Sequence, residues 1–183
     1  MSKNKSTTST DNLVIKLMSE KDVDQFSALR LKALKEEPTS FGGDYEEAKL
    51  LEPSEFAKRL VSDDFQFALG AFNPDLVGFA GFYRERGKKA CHKGVVWGVY
   101  VMPDFRGLGI AKQLMMAAIM CAQEMPGLDY MKLTVATQNK AAFDLYKSLG
   151  FKQFGVEFAA LMVDGKPVDE AMMQLNLRNS GDE

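Results

Sequence analysis

Soft metal ligands are scarce in this 183-residue chain, which has two cysteines and a single histidine. Cys91 and Cys121 lack CxxC spacing, and His92 completes no familiar zinc pattern with them. One cysteine pair is too few to staple a small scaffold, so neither a metal centre nor a disulfide framework is expected, only two thiols in a reduced compartment. Long apolar runs are missing too. The longest, Leu114 to Ala122, falls far short of the roughly 20 residues that span a bilayer. After Met1, residues 2–10 are Ser, Thr, Asn and Lys and lack the apolar core of a secretory signal, so a cytoplasmic location is expected. A basic surplus is absent as well: 23 Lys and Arg stand against 25 Asp and Glu, a net charge of -2. Nothing in that balance suits a nucleic-acid backbone. What is present, 46% hydrophobic and 26% charged residues, is enough to bury one core.

Along the chain, Leu13 to Leu17 reads as a strand. Ser19 with Asp22 three residues on has capping-box spacing, and Val23, Phe26, Ala33 and Leu34 keep a helical period to about Glu36. Pro38 stops that helix. A shorter one starts near Pro53, with Phe56, Leu60 and Val61 on one side. Phe65–Phe72, Leu76–Glu85 and Val95–Met102 are aromatic and β-branched runs divided by short turns, the pattern of an antiparallel meander. After Pro103 come a helix over Ile110–Glu124, a strand at Met131–Thr137, a helix from Asn139 to Leu149 ended by Gly150, and a hairpin over Phe154–Val163 and Ala171–Leu177. Met115, Met116 and Met120 read as core filler in the first of these helices. No linker divides the chain, so one domain over residues 11–178 is expected, with tails at 1–10 and 179–183.

The sharpest local feature runs from Val101 to Lys112. A strand ends, Arg106-Gly107-Leu108-Gly109 makes a tight loop, and a helix begins at Ile110. Unpaired N–H groups and the positive dipole end make such a helix start a natural phosphate site, with Arg106 and Lys112 as added cations. The spacing is not that of a Walker loop, and the dinucleotide fingerprint would need a third glycine where Lys112 stands. An ordinary glycine turn remains the alternative.

The loop has a companion. Arg106-x-x-Gly109-x-Ala111 follows a V-x-V-x-P strand end, and some thirty residues later comes Asn139-x-x-Ala142-x-x-Leu145-Tyr146-x-x-x-Gly150-Phe151. The pair resembles the two cofactor motifs of the GNAT superfamily of acyl-CoA-dependent N-acetyltransferases, and the element order matches from Leu13 to Leu177. The resemblance implies an α/β (α+β) fold with a single mixed, mostly antiparallel sheet and helices on both faces. It implies acetyl-CoA as cosubstrate, no metal, and transfer to a primary amine in a ternary complex, a small-molecule amine being favoured over a protein one. Nucleic-acid and membrane partners are not implied; a homodimer is allowed.

On these residues the pyrophosphate would meet the amides of Gly107, Leu108, Gly109, Ile110 and Ala111, with Arg106 and Lys112 beside them. The pantetheine arm would pair with the backbone of Val99 and Val101, whose strand splays from the one at Met131–Thr137. Asn139 would cap its helix, contact the cofactor, or both. Tyr146 would donate a proton to the leaving thiolate, the alternative being a plain core role. A non-catalytic acyl-CoA-binding module is the competing reading, and Tyr146 argues against it. For a general base, His92, Glu85, Glu37 and Glu46 are candidates without a motif, and strand parity sets His92 opposite to Trp97. The acceptor pocket is expected from Pro38 to Gly43, Tyr83, Trp97 and the segment around Phe158, with Glu37, Glu46 and Glu47 either receiving a cationic amine or capping a helix.

Overall fold

A computed structural model describes residues 12–178; the two expected tails lie outside the described residues. Seven strands form one sheet in the order β1-β2-β3-β4-β5-β7-β6. They are β1 (Val14–Leu17), β2 (Gln66–Phe72), β3 (Leu76–Arg84), β4 (Lys93–Val101), β5 (Tyr130–Ala136), β6 (Lys152–Val163) and β7 (Lys166–Asn176). Every neighbouring pair is antiparallel except β4 and β5. Among the described residues no helix is long and apolar enough to cross a membrane.

β2 and β3 are buried almost end to end because both faces of the sheet are covered. Phe67, Leu69, Ala80 and Phe82 pack with α4 (Ile110–Gln123) and α5 (Lys140–Ser148) on one face. Ala68, Phe72 and Phe79 pack with α1 (Val23–Glu36) and α3 (Pro53–Ala57) on the other, beside the single-turn α2 (Tyr45–Ala48). Helix α1 starts from the expected box: the Ser19 N–H donates to Asp22 Oδ2 at 2.9 Å. Its stripe of Phe26, Leu29, Ala33 and Leu34 faces the sheet, and Arg30 is buried in the same stripe.

Two expectations about apolar residues fail. Val61 is exposed, because the chain leaves its helical turn at Leu60 and turns extended. Met115 is fully buried, but Met116 and Met120 stand on the solvent face of α4, where a spacing of four residues puts both on one side and away from the sheet.

Candidate functional site

β4 and β5 pair only from Lys93↔Tyr130 to Val95↔Lys132. Beyond that point they part, so the β5-facing backbone of β4 has no ladder partner there. Against β3, one extra residue enters β4 between the pairs Phe79↔Tyr100 and Gly81↔Trp97. Gly98 takes up this bulge at φ +69°, a conformation that favours glycine. The splay and the bulge open a groove of about 730 Å³ lined by Val99, Val101, Gly107, Gly109, Asn139 and Tyr146, among others.

The start of α4 closes one end. Gly107 and Gly109 stand at φ +78° and +76°, and a Cβ on either would meet no atom within 4 Å, so the space above them is open. Gly109 is the N-cap and offers no side-chain acceptor. The first closing bond, Gln113 N–H to Gly109 O at 3.1 Å, leaves the preceding amides of Ile110, Ala111 and Lys112 without intrahelical acceptors. Ile110, Ala111 and Lys112 line the groove; Leu108 does not, and its side chain turns outward. Arg106 lines the groove with two contacts already made: its Nε donates to Val101 O at 3.0 Å, and Nη1 pairs with Glu37 Oε1 at 2.9 Å.

Asn139 caps its helix, its side chain accepting the Ala142 N–H at 3.2 Å, and it also lines the groove. Two tyrosines share the groove wall, with different commitments. Tyr100 donates its hydroxyl to Glu36 Oε2 at 3.0 Å, and burial together with that bond pushes its pKa up to about 12. Tyr146 packs against Phe151 in the core, and burial raises its phenol far above the ordinary range. Its hydroxyl makes no hydrogen bond to any described residue. Burial keeps this phenol neutral.

The candidate bases separate. His92 lies outside the groove, edge-on to Tyr130 at 6.1 Å, and the bulge comes too late in β4 to reorient it. Glu85 is tied to Lys132, whose hydrogen bond holds the carboxyl below its usual range, and Glu46 pairs with Lys49. Only Glu37 reaches the groove, paired to Arg106. The expected acceptor residues separate too. Thr39, Ser40 and Phe41 line the groove, whereas Tyr83 and Trp97 line a second cavity of about 380 Å³ and Phe158 is 80% exposed. The Arg106–Glu37 pair and the Tyr100–Glu36 bond carry no motif, since both join α1 or its end to residues more than sixty positions away.

Sheet order, splayed strands and a glycine-hinged helix start together define the GNAT fold. The chain belongs to the acetyltransferase (GNAT) family, whose model matches residues 30–151. It is 34% identical over 108 residues to the N-terminal acetyltransferase A complex catalytic subunit NAA10 of Arabidopsis thaliana, covering 58% of this chain and 54% of that protein. It thus spans only about half of that relative's length. Over 130 residues it is 32% identical to the N-alpha-acetyltransferase RimI of Mycobacterium tuberculosis, covering 71% of this chain and 76% of that one. Among solved structures, a GNAT-family acetyltransferase from Streptococcus pneumoniae superimposes with a TM-score of 0.82 at 27% identity, over 90% of this chain and 99% of that one. The acetyltransferase yncA of Salmonella typhimurium, solved with its cofactor acetyl-CoA, gives 0.76 at 20% identity, over 94% and 98% of the two chains.

Proposed function

We propose that this chain transfers an acetyl group from acetyl-CoA to a small-molecule primary amine by direct attack in a ternary complex, in the cytoplasm. The observation that carries this reading is the groove itself. It joins unpaired strand edge, phosphate-ready amides and a neutral tyrosine in one continuous wall.

The pyrophosphate would sit over Gly107, Leu108 and Gly109 and the first amides of α4, with Arg106 and Lys112 adding charge. The pantetheine amides would add to the free edge of β4 at Val99 and Val101. The acceptor nitrogen then attacks the thioester carbonyl: an N–C bond forms, and the carbonyl oxygen takes negative charge near the Val99 N–H. When the C–S bond breaks, the thiolate takes the Tyr146 hydroxyl proton. The surplus proton on nitrogen leaves to water, and Tyr146 is reprotonated from solvent.

The test is an acceptor screen with acetyl-CoA that follows release of free thiol. Thiol release stoichiometric with acetylated amine supports the proposal. Tight CoA binding without transfer to any of a broad amine panel would instead identify a binding module. The Arg106–Glu37 pair adds a quantitative expectation. Replacing Glu37 by Gln removes a carboxylate that competes with phosphate for Arg106, and exposed pairs of this kind are worth up to about 1 kcal/mol. CoA should therefore bind about two- to fivefold tighter to E37Q by isothermal titration, with a steeper salt dependence.

A further inference from the structure

Arg30 on α1 carries an atom that the groove does not use. Among the described residues, its Nη1 is the buried side-chain polar atom without a hydrogen-bond partner, on a residue only 9% exposed. The guanidinium lies 4.8 Å from the Phe41 ring and 6.0 Å from the Trp97 ring. From the other side Arg59 approaches Trp97 at 5.4 Å. Two cavities of about 380 and 150 Å³ adjoin here and share Leu51 and Arg59 as walls; Arg30 lines the smaller and Trp97 the larger.

Two like charges therefore face a common space. Burial and the neighbouring Arg59 depress the Arg30 pKa to about 10. Asp44 and Glu47 also line the smaller cavity, but among the described residues neither forms an ion pair with Arg30 or Arg59: Asp44 accepts the Glu47 N–H at 2.9 Å and Glu47 is exposed, while Glu55 on the larger cavity pairs with Lys58. The aromatic rings stabilise a guanidinium through its face and leave the in-plane N–H edge unmet. A carboxylate meets that edge best, because two oxygens match the planar fork.

The place matters as much as the charge. A Cβ on Gly98 would lie 3.7 Å from Arg30 Nη1, so the unmet donor stands at the β4 bulge, one residue from groove-lining Val99. Phe41 lies between the two, stacked by the Arg30 guanidinium and lining the groove. We infer that the acceptor is a small amine bearing a carboxylate, which Arg30 and Arg59 hold beside Trp97 while its nitrogen reaches the groove. This inference rests on the acetyl-transfer reading and names its substrate class. The same two cations would repel polyamines.

Trp97 is the chain's only tryptophan, so its fluorescence reports on this site without acetyl-CoA or turnover. The probes are methionine, glutamate and 4-aminobutyrate, each beside its carboxamide, together with spermidine and an alanine-starting peptide amide. We expect at least one acid to change Trp97 emission saturably and its carboxamide to bind at least tenfold more weakly, the factor for losing one charge-assisted hydrogen bond. The same acid should exceed its carboxamide at least tenfold in kcat/KM for transfer. R59Q, at an exposed position, and R30K, at the buried one, should each weaken the acid's binding by about tenfold or more while CoA affinity confirms that the fold is intact. Equal responses to acid and amide, or a preference for spermidine or the peptide, would overturn the inference and leave acetyl transfer standing. Saturable, arginine-dependent binding of an acid without thiol release from any amine would keep the anion site and sink the transfer reading.

Discussion

Tyr146→Phe is expected to lower kcat for acetyl transfer by about 100-fold or more, the scale of lost general-acid catalysis, and to change CoA affinity less than about twofold. The ring of Tyr146 packs on Phe151 in the core, and phenylalanine keeps that packing, so the groove wall survives. Only the hydroxyl is lost, and no described residue depends on it. Tyr100 is the natural contrast. Its hydroxyl is committed to Glu36, so Tyr100→Phe should cost stability of about 1 kcal/mol and leave kcat far closer to normal. Thiol-release kinetics with calorimetric CoA titrations separate the cases, and an unchanged kcat in Y146F would refute the acid assignment.

The same burial gives Tyr146 a signature in stability. Its folded pKa is raised, so the folded state keeps a proton that the unfolded tyrosine loses near pH 10. Stability is therefore constant with respect to this group below about pH 10 and falls as pH rises above it. Tyr100, with its pKa near 12, acts in the same direction. Urea unfolding between pH 9 and 11 should show the decline, and Y146F should lessen it.

Phe79→Ala is expected to have the largest effect on folding, about 3–5 kcal/mol, seen as a lower urea midpoint at unchanged slope and a melting temperature lower by about 10 °C. Phe79 is fully buried, edge-on to Phe26 at 5.3 Å and tilted against Tyr100 at 6.0 Å. It also supports the groove, because a Cβ on Gly98 would lie 3.1 Å from its ring. A void beneath the bulge frees the turn that presents Val99, so KM for acetyl-CoA should rise along with the stability loss. Leu108→Ala, at a side chain turned outward, should stay within about 0.5 kcal/mol of the parent.

What could be read without tertiary contacts was local in origin. Gly107 and Gly109 mark a tight loop at a helix start and Asn139 marks a helix cap, while the expectation that Tyr146 belongs with the loop at Arg106 comes from the family resemblance of the two motifs. These signals depend on neighbours a few residues away, and the meander and its turns follow from the same short-range chemistry. Arg30 shows where that legibility ends. Its position in the apolar stripe of α1, four residues after Phe26, was a signal that it is buried, but not that its Nη1 meets no acceptor among the described residues. Strand parity separated His92 from Trp97 yet did not tell that Trp97 faces a cavity other than the groove. The chain's own order of residues determined the antiparallel meander, the helices and a glycine-rich helix start suited to phosphate, and the motif resemblance supplied the mixed sheet. Only the tertiary structure decided the charges around the pocket, tying Arg106 to Glu37 and leaving Arg30 Nη1 without a hydrogen-bond partner among the described residues. Which ions meet depends on elements far apart in the chain, and on how deeply their packing removes each from water.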